Sequence, residues 1–147
     1  MTPRRATTCI VLHTSAGRQD GDVESIRRYH VDVLGWADVG YHFVVTHDGR
    51  VQAGRRVDLV GAHAKGYNDR AIGICFAGDH DDHPWSEAAT LAGVDLIATL
   101  CTTYDVPASR VLGHRETGAR KTCPGACVNM DAVRLAVRAH RAYRVAE

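Results

Sequence analysis

Two histidines and one cysteine are the residues of this 147-residue chain with the strongest potential to hold a metal ion. His13 ends an apolar segment near the amino terminus, His114 ends a second segment, and Cys123 lies on the stretch that follows. Two imidazoles and a thiolate suit tetrahedral zinc and leave a fourth position for water. Because His13 is far from the other two in sequence, spacing alone also allows two buried histidines and a buried thiol without a metal.

The segment from His114 to Cys127 allows two other chemistries. His114-Arg-Glu116 followed by Cys123 and Cys127 partly matches the His-x-Glu and Pro-Cys-x-x-Cys pattern of zinc deaminases. That match fails in detail, because three residues separate the cysteines and the proline follows the first of them. Alternatively, Cys123 and His114 could form the nucleophile and base of a cysteine hydrolase, which the local sequence leaves open.

The apolar and turn patterns predict that these residues sit on an α/β scaffold. Strands are predicted over residues 8–13, 41–46, 50–53, 71–77 and 110–113, helices over 22–34, 86–103 and 130–143, and loops over 58–69 and 115–124. The first and fourth strands are continuous apolar runs, typical of strands buried on both faces. Strands interleaved with helices predict a single-layer mixed central β-sheet flanked by helices, with the zinc site at the sheet rim.

Length and charge narrow the possible partners. The chain fits a single domain, residues 1–147, with a core from about residue 8 to residue 143. A formal net charge of +1 gives no electrostatic case for a nucleic acid or a membrane surface. The apolar stretch 9–12 is too short for a signal peptide, so we expect a protein made in the cytoplasm that reaches other compartments only after release. Five cysteines in a reducing compartment predict free thiols or metal ligands rather than disulfides.

Six motifs follow one another along most of the chain. They are residues 10–16 (IVLHTSA), 35–43 (GWADVGYHF), 48–51 (DGRV), 61–68 (GAHAKGYN), 72–74 (IGI) and 113–124, which contains GHR and KTCP. In this order the motifs resemble the N-acetylmuramoyl-L-alanine amidases of the peptidoglycan-recognition-protein type (type 2 amidases), and among them the amidase-type lysozymes, or endolysins, of T-odd coliphages. The resemblance covers residues 8–124 and implies the fold of that family.

The resemblance also implies roles for individual residues. It places the zinc ligands on His13, His114 and Cys123, the catalytic tyrosine on Tyr41 and the catalytic lysine on Lys121. In those roles the tyrosine and the lysine would stabilise an oxyanion or pass a proton to the leaving amine. Without the resemblance, the pattern around Tyr41 favours a core residue and that around Lys121 a solvated surface cation.

A second pair of residues lies on the predicted loop 58–69. The resemblance matches His63 and Asn68 with the part of the family that contacts the stem peptide of peptidoglycan. Shaping the turn is the alternative role for both residues, since asparagine and glycine are common in turns. The run His80-Asp-Asp-His83 also looks like a metal clip, but an exposed polar loop before a helix is the favoured interpretation.

The function implied by the resemblance is zinc-dependent hydrolysis of the amide bond between N-acetylmuramic acid and L-alanine, with one zinc ion per chain. A phage-type endolysin, monomeric and acting on the cell wall after release, is the expected biological role. Two alternatives use the same fold. One is a module that binds peptidoglycan without cutting it, and the other is a regulator, because the coliphage relatives also bind their phage RNA polymerase.

Overall fold

Five strands form one mixed sheet in the computed structural model, which describes residues 1–146. The strands are β1 (Cys9–Thr14), β2 (Phe43–Val45), β3 (Val51–Ala53), β4 (Ala71–Phe76) and β5 (Val111–Gly113), in the order β3-β2-β4-β1-β5. β1 is parallel to both β4 and β5, and β2 is parallel to β4 but antiparallel to β3. The parallel centre with one antiparallel edge confirms the predicted mixed sheet.

Three helices cover the sheet: α1 (Val23–Arg28), α2 (Glu87–Tyr104) and α3 (Met130–Ala146). Side chains alternate between the two faces of a strand. Ile10 and Leu12 of β1 therefore share one apolar cluster with α2 and α3, and Cys9 and Val11 belong to a cluster on the opposite face. The whole of β4 is buried, as its continuous apolar run predicts. His13 lies on the same face of β1 as Cys9 and Val11, because side chains alternate along the strand. It therefore faces away from α2 and α3.

The predicted helix over residues 22–34 begins as expected and then changes type. Asp22 caps α1 by accepting a hydrogen bond from the Ser25 backbone N–H at 2.9 Å. The chain then widens into a π-helical turn, Tyr29–Val33, closed by the Leu34 N–H bonding to the Tyr29 carbonyl. Within this turn His30 is buried, and its ring centroid lies 5.5 Å from that of Tyr41.

The remaining predictions agree with the structure to within a few residues. Ser86 caps α2 through the Ala89 N–H, and α3 runs a little beyond the predicted residue 143. The predicted loop 115–124 begins with a short 3-10 turn, His114–Thr117. Within residues 1–146, none of the helices combines the length and the apolar character that a membrane crossing requires.

Candidate metal centre and adjoining cleft

His13 and His114 are brought together by the register of two parallel strands. Leu12 of β1 pairs with Gly113 of β5, so the next residue along each strand is one of the two histidines. Their ring centroids are 4.7 Å apart, and both side chains are buried. The expected meeting of the two imidazoles at one end of the sheet is therefore what the structure shows.

Cys123 reaches the histidines because its loop is tied down from two sides. The backbone N–H of Arg115 donates to the Cys123 carbonyl at 2.7 Å, and the Arg115 guanidinium donates to the Gly125 carbonyl at 2.9 Å. On the other side, the Asp81 carboxylate accepts hydrogen bonds from the Thr122 hydroxyl at 3.0 Å and from the Ala126 N–H at 2.8 Å. These contacts fix the loop that carries the thiol without using the thiol itself.

The three donor atoms fit a zinc ion. One ligand atom from each of His13, His114 and Cys123 lies within 4.8 Å of the others, and the His13 Nδ1 to Cys123 Sγ distance is 3.7 Å. With zinc–nitrogen and zinc–sulfur bonds of about 2.1 and about 2.3 Å, a tetrahedral ion would hold such a pair roughly 3.6 Å apart. Zinc's preference for nitrogen and sulfur donors, together with this spacing, makes it the metal that matches the set best.

The electrostatics of the centre favour neutral imidazoles. Burial lowers the pKa of His13 well below its ordinary value, and the neighbouring His63, His114 and Lys121 act in the same direction. The pKa of His114 is lowered by burial and by Lys121. Both rings therefore keep a free lone pair at neutral pH, which metal binding requires.

The thiol of Cys123 is held beside the end of β1. Burial raises its pKa, while the Thr14 N–H, which donates to the sulfur at 3.4 Å, and the nearby Lys121 act in the opposite direction. A hydrogen-bond donor and a cation next to the sulfur stabilise a thiolate, which is the form that binds metal.

Tyr41 stands immediately beside the centre. Its ring centroid is 5.0 Å from that of His13. Burial raises the pKa of Tyr41 well above its ordinary value, and the thiols of Cys75 and Cys123 reinforce this rise. The phenol therefore stays protonated at neutral pH and can donate a hydrogen bond to a group bound at the centre.

A cleft of about 720 Å³ opens next to His114. Its lining includes the loop that carries Lys65 and Asn68 and the segment that carries Arg120 and Lys121. Three cations and no carboxylates line this cleft in the part of the chain that the structure describes. Lys121 is exposed, yet its positive charge acts to lower the pKa values of His13, His114 and Cys123. The cleft therefore presents positive charge next to the donor set.

His63 and Asn68 occupy different layers of this cleft. The Oδ1 atom of Asn68 accepts hydrogen bonds from the His63 N–H at 2.8 Å and the Ala64 N–H at 2.9 Å, so the side chain closes the turn as a loop-shaping asparagine does. His63 is buried in the cleft floor, where its Nδ1 lies 2.9 Å from Nε2 of His13. Both residues line the cleft, and their contact with a peptide stays a prediction.

Several supporting residues have no clear signal in the sequence. Asp81 anchors the Cys123 loop from a segment 41 positions away in the chain, and Arg115 anchors it from 10 positions before Gly125. The interpretation of residues 80–83 as an exposed loop is wrong for His80, which is buried and whose backbone carbonyl accepts a hydrogen bond from the Cys127 N–H. Only the motif context of Arg115, directly after His114, could have indicated its role.

Comparison with known proteins gives consistent matches. A family model described as N-acetylmuramoyl-L-alanine amidase matches residues 3–126. The endolysin of Escherichia phage T7 is 41% identical over 128 residues, which cover 82% of each chain.

Solved structures agree with these matches. The N-acetylmuramoyl-L-alanine amidase LysC from Clostridium intestinale URNW is similar to this chain with a TM-score of 0.83 and 25% identity, over 90% of this chain and 85% of LysC. A mutant of the Drosophila peptidoglycan-recognition protein PGRP-LB in complex with tracheal cytotoxin gives a TM-score of 0.75 at 26% identity, over 87% of this chain and 84% of that one.

Proposed function

Because this chain belongs to the N-acetylmuramoyl-L-alanine amidase family and is an amidase of peptidoglycan, we propose that it cuts the bond between N-acetylmuramic acid and L-alanine with one zinc ion. The ion would be held by His13, His114 and Cys123. The observation that carries this proposal is the convergence of these three donors, from two strand ends and one loop, at the edge of a cationic cleft.

Zinc bound by these residues would supply Lewis acidity, which activates a water molecule and polarises the scissile carbonyl. The chain supplies the rest of the reaction. Tyr41, kept protonated by burial, is placed to donate to the developing oxyanion. Lys121 brings a positive charge to the same edge, where it stabilises the oxyanion or delivers a proton to the leaving amine.

The charge of the cleft supports an anionic peptide as the group bound beside the reacting bond. Stem peptides of peptidoglycan carry free carboxylates, and Lys65 and Arg120 in the lining of the cleft are complementary cations. His63 and Asn68 lie on the same side as Lys65, which supports their proposed part in holding the stem peptide.

An endolysin that acts on the cell wall after release is the proposed biological role. It is supported by the similarity to the phage T7 endolysin over 82% of both chains. A module that binds wall fragments without cutting is the second candidate, since the PGRP-LB mutant was solved with tracheal cytotoxin. The full set of donors, with Tyr41 and Lys121 beside them, favours cleavage, because recognition alone requires no activated water. A contact with a phage RNA polymerase stays a prediction.

Mass spectrometry of purified peptidoglycan tests this function. Treatment with the zinc-loaded protein should release stem peptides with new amino termini beginning with L-alanine, and a chelator should stop their release. The Cys123→Ala protein provides the matched inactive control. If the protein sediments with wall material but produces no new amino termini, the binding module replaces the hydrolase as its function. Cleavage that survives complete zinc removal would overturn the metal assignment.

A further inference from the structure

We propose that His63 is a positioning residue for the metal ligand His13, accepting a hydrogen bond from its Nε2–H and so holding its Nδ1 toward the metal. This inference rests on the proposed zinc centre. It gives His63 a role inside the protein that is separate from any contact with the stem peptide.

The two nitrogens of His13 face different neighbours. Nδ1 lies 3.7 Å from the sulfur of Cys123, and Nε2 lies 2.9 Å from Nδ1 of His63. Nδ1 of His13 is therefore the nitrogen on the side of the donor set, and Nε2 points away from it. The two rings meet edge to face, with an interplanar angle of 90° and centroids 5.0 Å apart. Such a hydrogen bond from the second nitrogen of a ligand histidine fixes its ring and its tautomer.

The positions of the protons follow from this arrangement. A metal bond at Nδ1 of His13 leaves its proton on Nε2, so Nδ1 of His63 must be the acceptor. His63 then carries its own proton on Nε2. That atom is buried and has no hydrogen-bond partner among residues 1–146.

The surroundings of His63 hold its ring in this place. A Cβ atom on Gly73 of β4 would lie 2.6 Å from Cγ of His63, and one on Gly61 would lie 2.6 Å from its Cδ2. Both glycines thus make space for the imidazole against the sheet. Asn68 fixes the backbone on the other side by accepting the His63 N–H. A side chain that only lined the cleft would not need packing this close around its ring.

The test is zinc affinity, measured by competition with a chromophoric chelator on the full chain. His63→Phe keeps a ring of similar size but removes the acceptor, and we expect it to weaken zinc binding roughly 10–100-fold. His63→Gln keeps an acceptor oxygen and should recover part of that loss. Urea unfolding of the zinc-free proteins serves as the control for folding. Equal zinc affinity in the wild type and a folded His63→Phe protein would overturn the proposal.

A second measurement needs no substitution. Long-range ¹H–¹⁵N NMR spectra of the zinc-loaded wild type should show His63 with its proton on Nε2 and His13 with its metal on Nδ1. A proton on Nδ1 of His63 would make His63 the donor and overturn the proposal even if the variants failed to fold. A wild type that binds no zinc would instead refute the metal centre itself, so the two failures are distinct.

Discussion

The Nδ1 atom of His13 lies 3.7 Å from the Cys123 sulfur, although 110 positions separate the two residues in the chain. Each is positioned independently of the other. His13 is held within a strand paired on both sides, and the Cys123 loop is held by Arg115 and Asp81. The donor set is therefore preorganised, which reduces the ordering that metal binding must impose on the chain.

Removal of the thiol should abolish zinc binding. In elemental analysis we expect the wild type to carry close to one zinc per chain and Cys123→Ala to have lost it, because two neutral imidazoles alone hold the ion weakly. Cys127→Ala is the matched control, since this exposed cysteine lies only four residues further along. Full zinc retention by the Cys123 variant would refute the ligand assignment.

Lys121 should contribute to catalysis rather than to folding. It lines the cleft beside the donor set and is exposed, so Lys121→Ala should keep both the fold and the zinc. Loss of one preorganised partner of an oxyanion costs roughly 10²–10³ in kcat. Lys121→Arg should recover only part of this, because a guanidinium places its charge differently from a compact ammonium.

Arg120→Ala is the control for Lys121, since it removes a neighbouring cation from the same cleft. We expect Arg120→Ala to raise KM more than it lowers kcat. A Lys121→Ala protein that cleaves peptidoglycan within about threefold of wild type would identify Lys121 as a surface cation only.

Tyr41 should act through its hydroxyl group. Tyr41→Phe keeps the ring that packs against His13 and His30, so zinc content and the free energy of unfolding should change little. The loss of a buried donor next to the reacting carbonyl should lower kcat about 10²-fold. Steady-state kinetics on a defined muropeptide measure the effect, and an unchanged kcat would exclude the phenol from the reaction.

Asn68 should support substrate binding through the loop that it closes. Asn68→Ala removes the acceptor of two backbone N–H groups, so the cleft wall should loosen and KM should rise more than kcat falls. Asn68→Asp keeps an oxygen in the acceptor position and tests whether the turn or the amide matters. If KM is unchanged in Asn68→Ala on a defined muropeptide, the loop has no part in holding the peptide.

The strands and the donor set could be predicted from sequence because both depend on local patterns. Continuous apolar runs marked β1 and β4, and the histidines that follow Leu12 in β1 and Gly113 at the end of β5 proved to be part of the centre. The hydrogen bond between His13 and His63 could not be predicted, since it depends on where a loop crosses the sheet. The anchoring of the Cys123 loop by Asp81 could not be predicted either, because a contact between a side chain and a backbone group 45 positions away leaves no periodic signal in the sequence.

Acid should destabilise the zinc-free protein through His42, whose ring is locked in the neutral form. Its Nδ1 accepts the Gly73 N–H at 2.9 Å, and its Nε2 donates to the Leu59 carbonyl at 2.8 Å. A proton on Nδ1 would point at the Gly73 N–H and break this hydrogen bond. The pKa of His42 is lowered from 6.5 to about 4, and burial is the largest cause of this shift. The unfolded chain therefore takes up this proton at a higher pH than the folded chain does.

The free energy of unfolding should accordingly be retained in full above pH 6.5 and decrease as the pH falls toward 4, by roughly 3 kcal/mol from His42 alone. Urea titrations in a chelator measure the slope. His42→Gln can keep both hydrogen bonds without titrating, so its stability should depend less steeply on pH than that of wild type. Identical slopes for wild type and His42→Gln would show that His42 does not carry this proton linkage.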